Sequence, residues 1–218
     1  MFEYIKIDTP FERDTEGTKK LIEGKYRDET VRYLRNSIWT WTEKIDGTNI
    51  SIEWDGHSVS IHGRTERAQI PSFLLEKLEE MFVGDVNEEM FEQLFGETHM
   101  ILYGEGYGTK IQKGHLYRDD VSFILFDVYQ PEKDIWLKRE SVEEIAKALN
   151  IDIVPFVLNG TIEDAVRFVK AKPNSFIASE HKREYQMEGL VGRPYTELKD
   201  RLGKRVIVKV KAKDFEEG

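Results

Sequence analysis

SIWTWTEKIDGTNISIEW, the stretch from Ser37 to Trp54, holds two runs of β-branched and aromatic residues, Ser37–Thr42 and Asn49–Trp54. Such side chains pack well on a pleated surface, so both runs are expected as strands. Between them, Lys44-Ile45-Asp46-Gly47 ends in a glycine that lets the chain turn, which places Lys44 at a strand end. Similar runs occur at Ser58–Arg64, Met100–Glu105, Ser122–Tyr129, Gly189–Arg193 and Val206–Val210. Helical signals stand between them. Ser72 opens FLLEKLEEMF, Ser141 with Glu144 makes a capping-box pattern before VEEIAKALN, and Thr161 with Asp164 opens IEDAVRFVKA, which Pro173 stops. Strands from both ends of the chain with helices between them, and no regular βαβ alternation, predict an α+β fold with mixed or antiparallel sheets and flanking helices.

Composition narrows the chemistry. The 218 residues are 39% hydrophobic, enough for a real core, and no repeat or Pro/Gly/Ser-rich linker divides them, so residues 1–218 are expected as one domain. With no cysteine, disulfides and thiolate metal sites are ruled out, and the five histidines are not spaced as ligands. A net charge of −9 argues against a protein that coats nucleic acid indiscriminately; a nucleic-acid site has to be a local basic groove. The start of the chain lacks the basic and apolar segments of a secretory signal, and no apolar run is long enough to cross a bilayer. The expected location is the cytoplasm, without membrane association. Gly104, Gly106 and Gly108 in YGEGYG fit neither the dinucleotide nor the P-loop fingerprint.

Several residues carry possible chemistry. An amine attacks a phosphorus only when neutral, and a free lysine is protonated near pH 7, so a nucleophilic Lys44 would need cations or a metal nearby. On its own, K-x-D-G is also an ordinary hairpin turn. In RVIVKVKAK, from Arg205, alternation puts Lys209, Lys211 and Lys213 on one face and Val206, Val208 and Val210 on the other. Three aligned ammonium groups suit a polyphosphate, or else protect a solvated edge strand. Glu105 and Glu188 stand beside glycines that would let a ligand approach closely, yet each is also readable as a turn glutamate. Phe126 in FILFDV reads first as core, and Arg64 with Arg67 ends a strand in two guanidiniums suited to phosphate.

In order along the chain, EKIDGTN from Glu43, GRTERA from Gly63, YGEGYG from Tyr103, FILFDV from Phe123, EGLVGRP from Glu188 and VIVKVKAKDF from Val206 resemble six motifs of the covalent nucleotidyltransferases. This superfamily comprises polynucleotide ligases and capping enzymes, and the likeness is greatest to the RNA ligase 2 family of ATP-dependent RNA ligases. The resemblance implies an ATP-grasp-like adenylyltransferase fold and a covalent lysine-AMP on Lys44. It implies that Glu43 and the backbone of Ile45 meet adenine, Phe126 stacks on it and Glu105 binds the ribose. Asn49 and Arg64 would meet phosphates or RNA ends, and Lys209 and Lys211 the α-phosphate. Asp46 and Glu188 would hold Mg²⁺, or Mn²⁺ in its place, through its waters, with Glu188 also part of the ATP site.

The same resemblance implies a monomer acting on RNA 5′-phosphate and 3′-hydroxyl ends, in the cytoplasm, or in a host cytoplasm if phage-encoded, with a partner protein able to supply RNA binding. The sequence ends seven residues after Lys211, so no OB-fold or other C-terminal domain is expected after the last motif. A minimal DNA nick ligase, a capping-type guanylyltransferase and a non-catalytic RNA-end-binding protein are the competing readings.

Overall fold

The computed structural model describes residues 3–65 and 67–215. Along the chain run β1 (Phe11–Arg13), β2 (Leu21–Tyr26), α1 (Glu29–Tyr33), β3 (Trp39–Glu43), β4 (Thr48–Trp54) and β5 (Val59–Gly63). They are followed by α2 (Ser72–Phe82), α3 (Asp85–Phe95), β6 (Met100–Gly108), β7 (Val121–Gln130), β8 (Ile135–Trp136) and α4 (Arg139–Ala148). The chain closes with β9 (Asp152–Ile153), β10 (Phe156–Gly160), α5 (Ile162–Lys170), α6 (Phe176–Glu180), β11 (Gly189–Pro194) and β12 (Val208–Lys211). The fold is α+β, its named strands pairing antiparallel except for β9, which joins β7 in parallel, and an isolated parallel bridge joins Asp8 to Val208. Among the described residues no helix is long and apolar enough to cross a membrane.

These elements form two compact units. One comprises residues 1–5 and 46–154, the other 6–45 and 155–218. The first is built on the sheet β5-β4-β6-β7-β8. Ile50, Ile52 and Trp54 alternate onto one face of β4 and pack with Leu74, Leu78 and Phe82, spaced four apart along α2. The second is built on the sheet β10-β3-β11-β12. There α5 buries Ile162, Ala165, Val166 and Val169, a helical stripe, into a core with Trp39, Trp41 and Leu190.

Each strand run read from the sequence is a strand, with ends moved by at most three residues. The capping box of Thr161 and Asp164 forms: the Asp164 N–H donates to Thr161 Oγ1 at 3.2 Å and the Thr161 N–H to Asp164 Oδ2 at 3.0 Å. The one expected at Ser141 does not. Helix α4 starts two residues earlier, because Arg139 donates to the Val154 carbonyl at 2.8 Å and pairs with Glu143 one turn on at 2.6 Å, so Ser141 lies inside the helix.

Candidate active site

In the second unit, pairing register decides which side chains meet. Glu43 lies opposite Leu190, and Leu190 opposite Val210, so these three share a buried face. The neighbouring residues take the other face. Lys44, one residue past β3, donates its backbone N–H to the Gly189 carbonyl at 2.9 Å, and Gly189 lies opposite Lys211. The Ala212 N–H reaches back to the Glu188 carbonyl at 2.9 Å. Three charged side chains from three segments therefore converge. Lys44 Nζ lies 2.5 Å from Glu188 Oε2, and Lys211 Nζ 2.6 Å from Glu188 Oε1. One carboxylate thus bridges two ammonium groups, all three side chains being less than a quarter exposed.

Lys209 is the third cation of this face. Burial, followed by the charges of Lys211 and Lys44, holds its ammonium below the ordinary lysine range, against the smaller opposing pull of Asp8 and Glu188. A cation so destabilised gains most when an anion arrives, and the three lysines outnumber the single carboxylate among them. Lys213 does not complete a row of three with Lys209 and Lys211. The chain leaves β12 at Lys211 for a single 3₁₀ turn over Ala212–Asp214, closed by the Phe215 N–H on the Ala212 carbonyl, and Lys213 points to solvent.

Glu43 is only 1% exposed, and its carboxylate accepts the Phe176 N–H at the start of α6 at 2.9 Å. Its side chain is thus buried, with Oε1 left without a hydrogen-bond partner among the described residues. Burial pushes its carboxyl above the ordinary glutamate range, ahead of the lowering by its hydrogen bonds with Ser175, Phe176 and Ile177. A folded-state value raised in this way costs stability while the group is charged. As pH falls through the raised value the folded protein takes up the proton first, and the cost is relieved. Glu43→Gln keeps an acceptor for the Phe176 N–H and removes the charge. Melting curves are expected to show it more stable than wild type at neutral pH by on the order of 1 kcal/mol, about 2–4 °C, with the gap closing toward pH 4.

The first unit gathers the other residues at one end of its sheet. β5 and β6 both run antiparallel to β4, so the start of β4 and the ends of β5 and β6 lie at the same end. Asn49 sits directly opposite Glu105 in the β4–β6 register. Asp46 precedes β4 and donates its backbone N–H to the hydroxyl of Tyr117 at 3.1 Å. Arg64 follows the last residue of β5 and is exposed; Glu66 of the same motif lies outside the described residues. The glycines beside Glu105 are packed tightly against the core. A Cβ on Gly104 would lie 2.2 Å from the Phe123 ring, and one on Gly106 2.7 Å from Leu74.

Phe126 departs from the default reading of a core strand. Tyr103 pairs with Asp127 while Gly104 pairs with Leu125, so Phe126 is the extra residue of a β-bulge. The bulge takes the ring out of the core, where it is half-buried in a T-shaped contact with Tyr4, the ring centroids 4.9 Å apart. The Tyr4 hydroxyl donates to the fully buried Asp127 at 2.5 Å. Tyr4 and Tyr117 escaped the sequence reading. A buried Asp inside FILFDV does demand a donor, but nothing local points 123 residues back to Tyr4.

A family model described as RNA ligase matches residues 37–211. Among solved structures the chain is similar to the Naegleria gruberi RNA ligase. An alanine mutant of that protein with ATP and Mn is 18% identical, with a TM-score of 0.64 over 94% of this chain and 55% of that one. The same ligase with PPi is 18% identical, with a TM-score of 0.64 over 97% and 62%. A lysine-to-methionine mutant with AMP and Mn is 16% identical, at 0.64 over 96% and 62%. The chain thus spans little more than half the length of these proteins, and at such identity the likeness extends to the fold alone. No curated protein matches the sequence. The family match begins just before β3, ends on Lys211 and takes in every strand and side chain of the lysine and glutamate cluster: the chain belongs to the RNA ligase family.

Proposed function

We propose that this protein is an ATP-dependent RNA ligase that carries AMP on Lys44. The observation that carries the reading is the bridged cluster itself, with the Lys44 and Lys211 ammonium groups 2.5 and 2.6 Å from the two oxygens of Glu188 and Lys209 along the same strand face. In the proposed reaction the neutral amine of Lys44 attacks the α-phosphorus of ATP. The N–P bond forms as the bond to the bridging oxygen breaks, and pyrophosphate leaves. Lys209 and Lys211 stabilise the charge gathered on the α-phosphate. An RNA 5′-phosphate oxygen then attacks the AMP phosphorus and frees Lys44, and a 3′-hydroxyl attacks the 5′-phosphorus and releases AMP.

The other roles follow motif by motif. Phe126, freed from the core by its bulge, is assigned to the adenine, Glu105 to the ribose, and Asn49 and Arg64 to phosphates or RNA ends. Among the described residues no group of three or more His, Asp or Glu side chains gathers to hold a metal directly. By the resemblance alone, Asp46 and Glu188 are each assigned to a hydrated divalent ion, which keeps most of its waters. Such an ion, Mg²⁺ or Mn²⁺, supplies charge to the triphosphate when bound. The family match runs through both compact units, which supports treating residues 1–218 as one nucleotidyltransferase domain. We assign its action to the cytoplasm, as a monomer.

The test is incubation with Mg²⁺ and each α-labelled nucleoside triphosphate in turn, followed by a denaturing gel. Label that stays on the polypeptide from ATP alone is the expected result. Label from GTP would instead indicate capping chemistry, and no label from any nucleotide would leave a binding protein. Sealing of an all-DNA nick in preference to RNA ends would mark a DNA ligase.

A further inference from the structure

The end of the first unit's sheet that carries Asn49, Arg64 and Glu105 also carries a loop that these assignments leave unused. Residues 109–120 connect β6 to β7, and β6 is two strands from β5, about 10 Å across the sheet. Three buried residues, Ile111, Gly114 and Tyr117, anchor the loop. The Ile111 N–H donates to the Gly108 carbonyl at 3.2 Å, the Gly114 N–H to the Ile111 carbonyl at 2.7 Å, and the Thr109 N–H to the Asp120 carbonyl at 3.1 Å. Arg118 closes the loop by pairing with Asp120 at 2.6 Å and Asp152 at 3.2 Å. Lys110, just before the first anchor, and Lys113 and His115, between the anchors, are exposed.

Lys110 and Lys113 share their backbone strain or lack of an ion pair with other surface lysines such as Lys19 and Lys182, and are set apart by their place at this end of the sheet. Lys110 (φ 66°) and Gln112 (φ 47°) both adopt the left-handed backbone that non-glycine residues avoid, at a cost of about 1–2 kcal/mol each. In addition, neither Lys110 nor Lys113 forms an ion pair with any described residue, although the chain carries nine excess acidic charges; Lys110 Nζ lies instead over the Phe73 ring, 5.7 Å from its centroid. A rigid, strained loop thus displays uncompensated cations at the sheet end that bears the candidate phosphate-binding residues. A long polyanion is the ligand such a display suits, and in an acidic protein it has to be met locally.

We propose that the Thr109–Arg118 loop is a clamp for the RNA phosphate backbone, with Lys110 and Lys113 as its phosphate contacts and His115 beside them. This inference rests on the ligase reading for the identity of the polyanion. The test compares wild type with the double variant K110Q/K113Q. Binding of a 5′-phosphorylated single-stranded RNA oligonucleotide is followed by fluorescence anisotropy over a range of salt, and lysine labelling by ATP is measured on the same preparations. The variant is expected to bind RNA about tenfold or more weakly, with a salt slope shallower by about 1.4, the effect of two lost contacts. Its lysine labelling is expected to equal wild type, and K110R/K113R, which keeps both charges, to restore binding. Unchanged RNA affinity and slope would overturn the clamp and leave the loop to another partner. A parallel loss of lysine labelling would overturn it too, since the loop would then serve the nucleotide or the fold. Wild-type protein that takes no label would remove the ligase reading, while the RNA comparison would still decide the clamp.

Discussion

Lys44→Ala protein is expected to take up no covalent AMP while melting within about 2–4 °C of wild type, the shift that 1 kcal/mol produces in a chain of this length. Both halves of the expectation come from the cluster. The amine is the only group the proposed chemistry gives to the α-phosphorus, so its loss removes the covalent step and is not merely a slowing of it. The stability effect is small because Glu188 keeps its second partner: with Lys44 gone, Lys211 still lies 2.6 Å from Glu188 Oε1, and no buried charge is orphaned. Labelling with α-labelled ATP beside a melting curve reads both. Label surviving on Lys44→Ala would show that another residue is the nucleophile.

The second large effect is structural and lies one residue from the cluster. Gly189 follows Glu188, and a Cβ at this position would stand 2.1 Å from the Val210 carbonyl oxygen and 2.8 Å from Lys211 Cα, both backbone atoms that no side-chain rotation can move. Its φ of +157° is, in addition, one that L side chains rarely adopt. Gly189→Ala must therefore push β12 away from β11. The expected cost is about 3 kcal/mol, a fall of about 6–12 °C in Tm. The displaced strand carries Lys209 and Lys211, so lysine labelling should fall even at temperatures where the variant is folded. A melting curve that matches wild type would mean that the two strands are not held at this spacing.

Much of this was legible in the residues themselves. Alternating β-branched and aromatic runs located the long strands, and the Val/Lys alternation from Val206 assigned Lys209 and Lys211 to one face. The elements that escaped lacked such signals. Helix α3, DVNEEMFEQLF, buries only Phe91, follows a glycine and has no side-chain cap, so neither its periodicity nor its start stands out. The β1–β2 hairpin is held by the Asp14 carboxylate, which accepts the backbone N–H groups of Glu16, Gly17 and Thr18, and not by any β-rich run. Glu43 stands next to the candidate nucleophile in sequence, yet strand alternation sends the two side chains to opposite faces.

The sequence by itself determined the element types of the long strands, the order of the motifs and the identity of the lysine at the end of β3, because side-chain shape and period act locally. Only the tertiary structure decided that Glu188 bridges Lys44 and Lys211, that Lys213 leaves their row and that Phe126 leaves the core. The first depends on strand register, the second on the 3₁₀ turn that ends β12 and the third on a bulge, and register is set by which distant segment supplies the pairing partner.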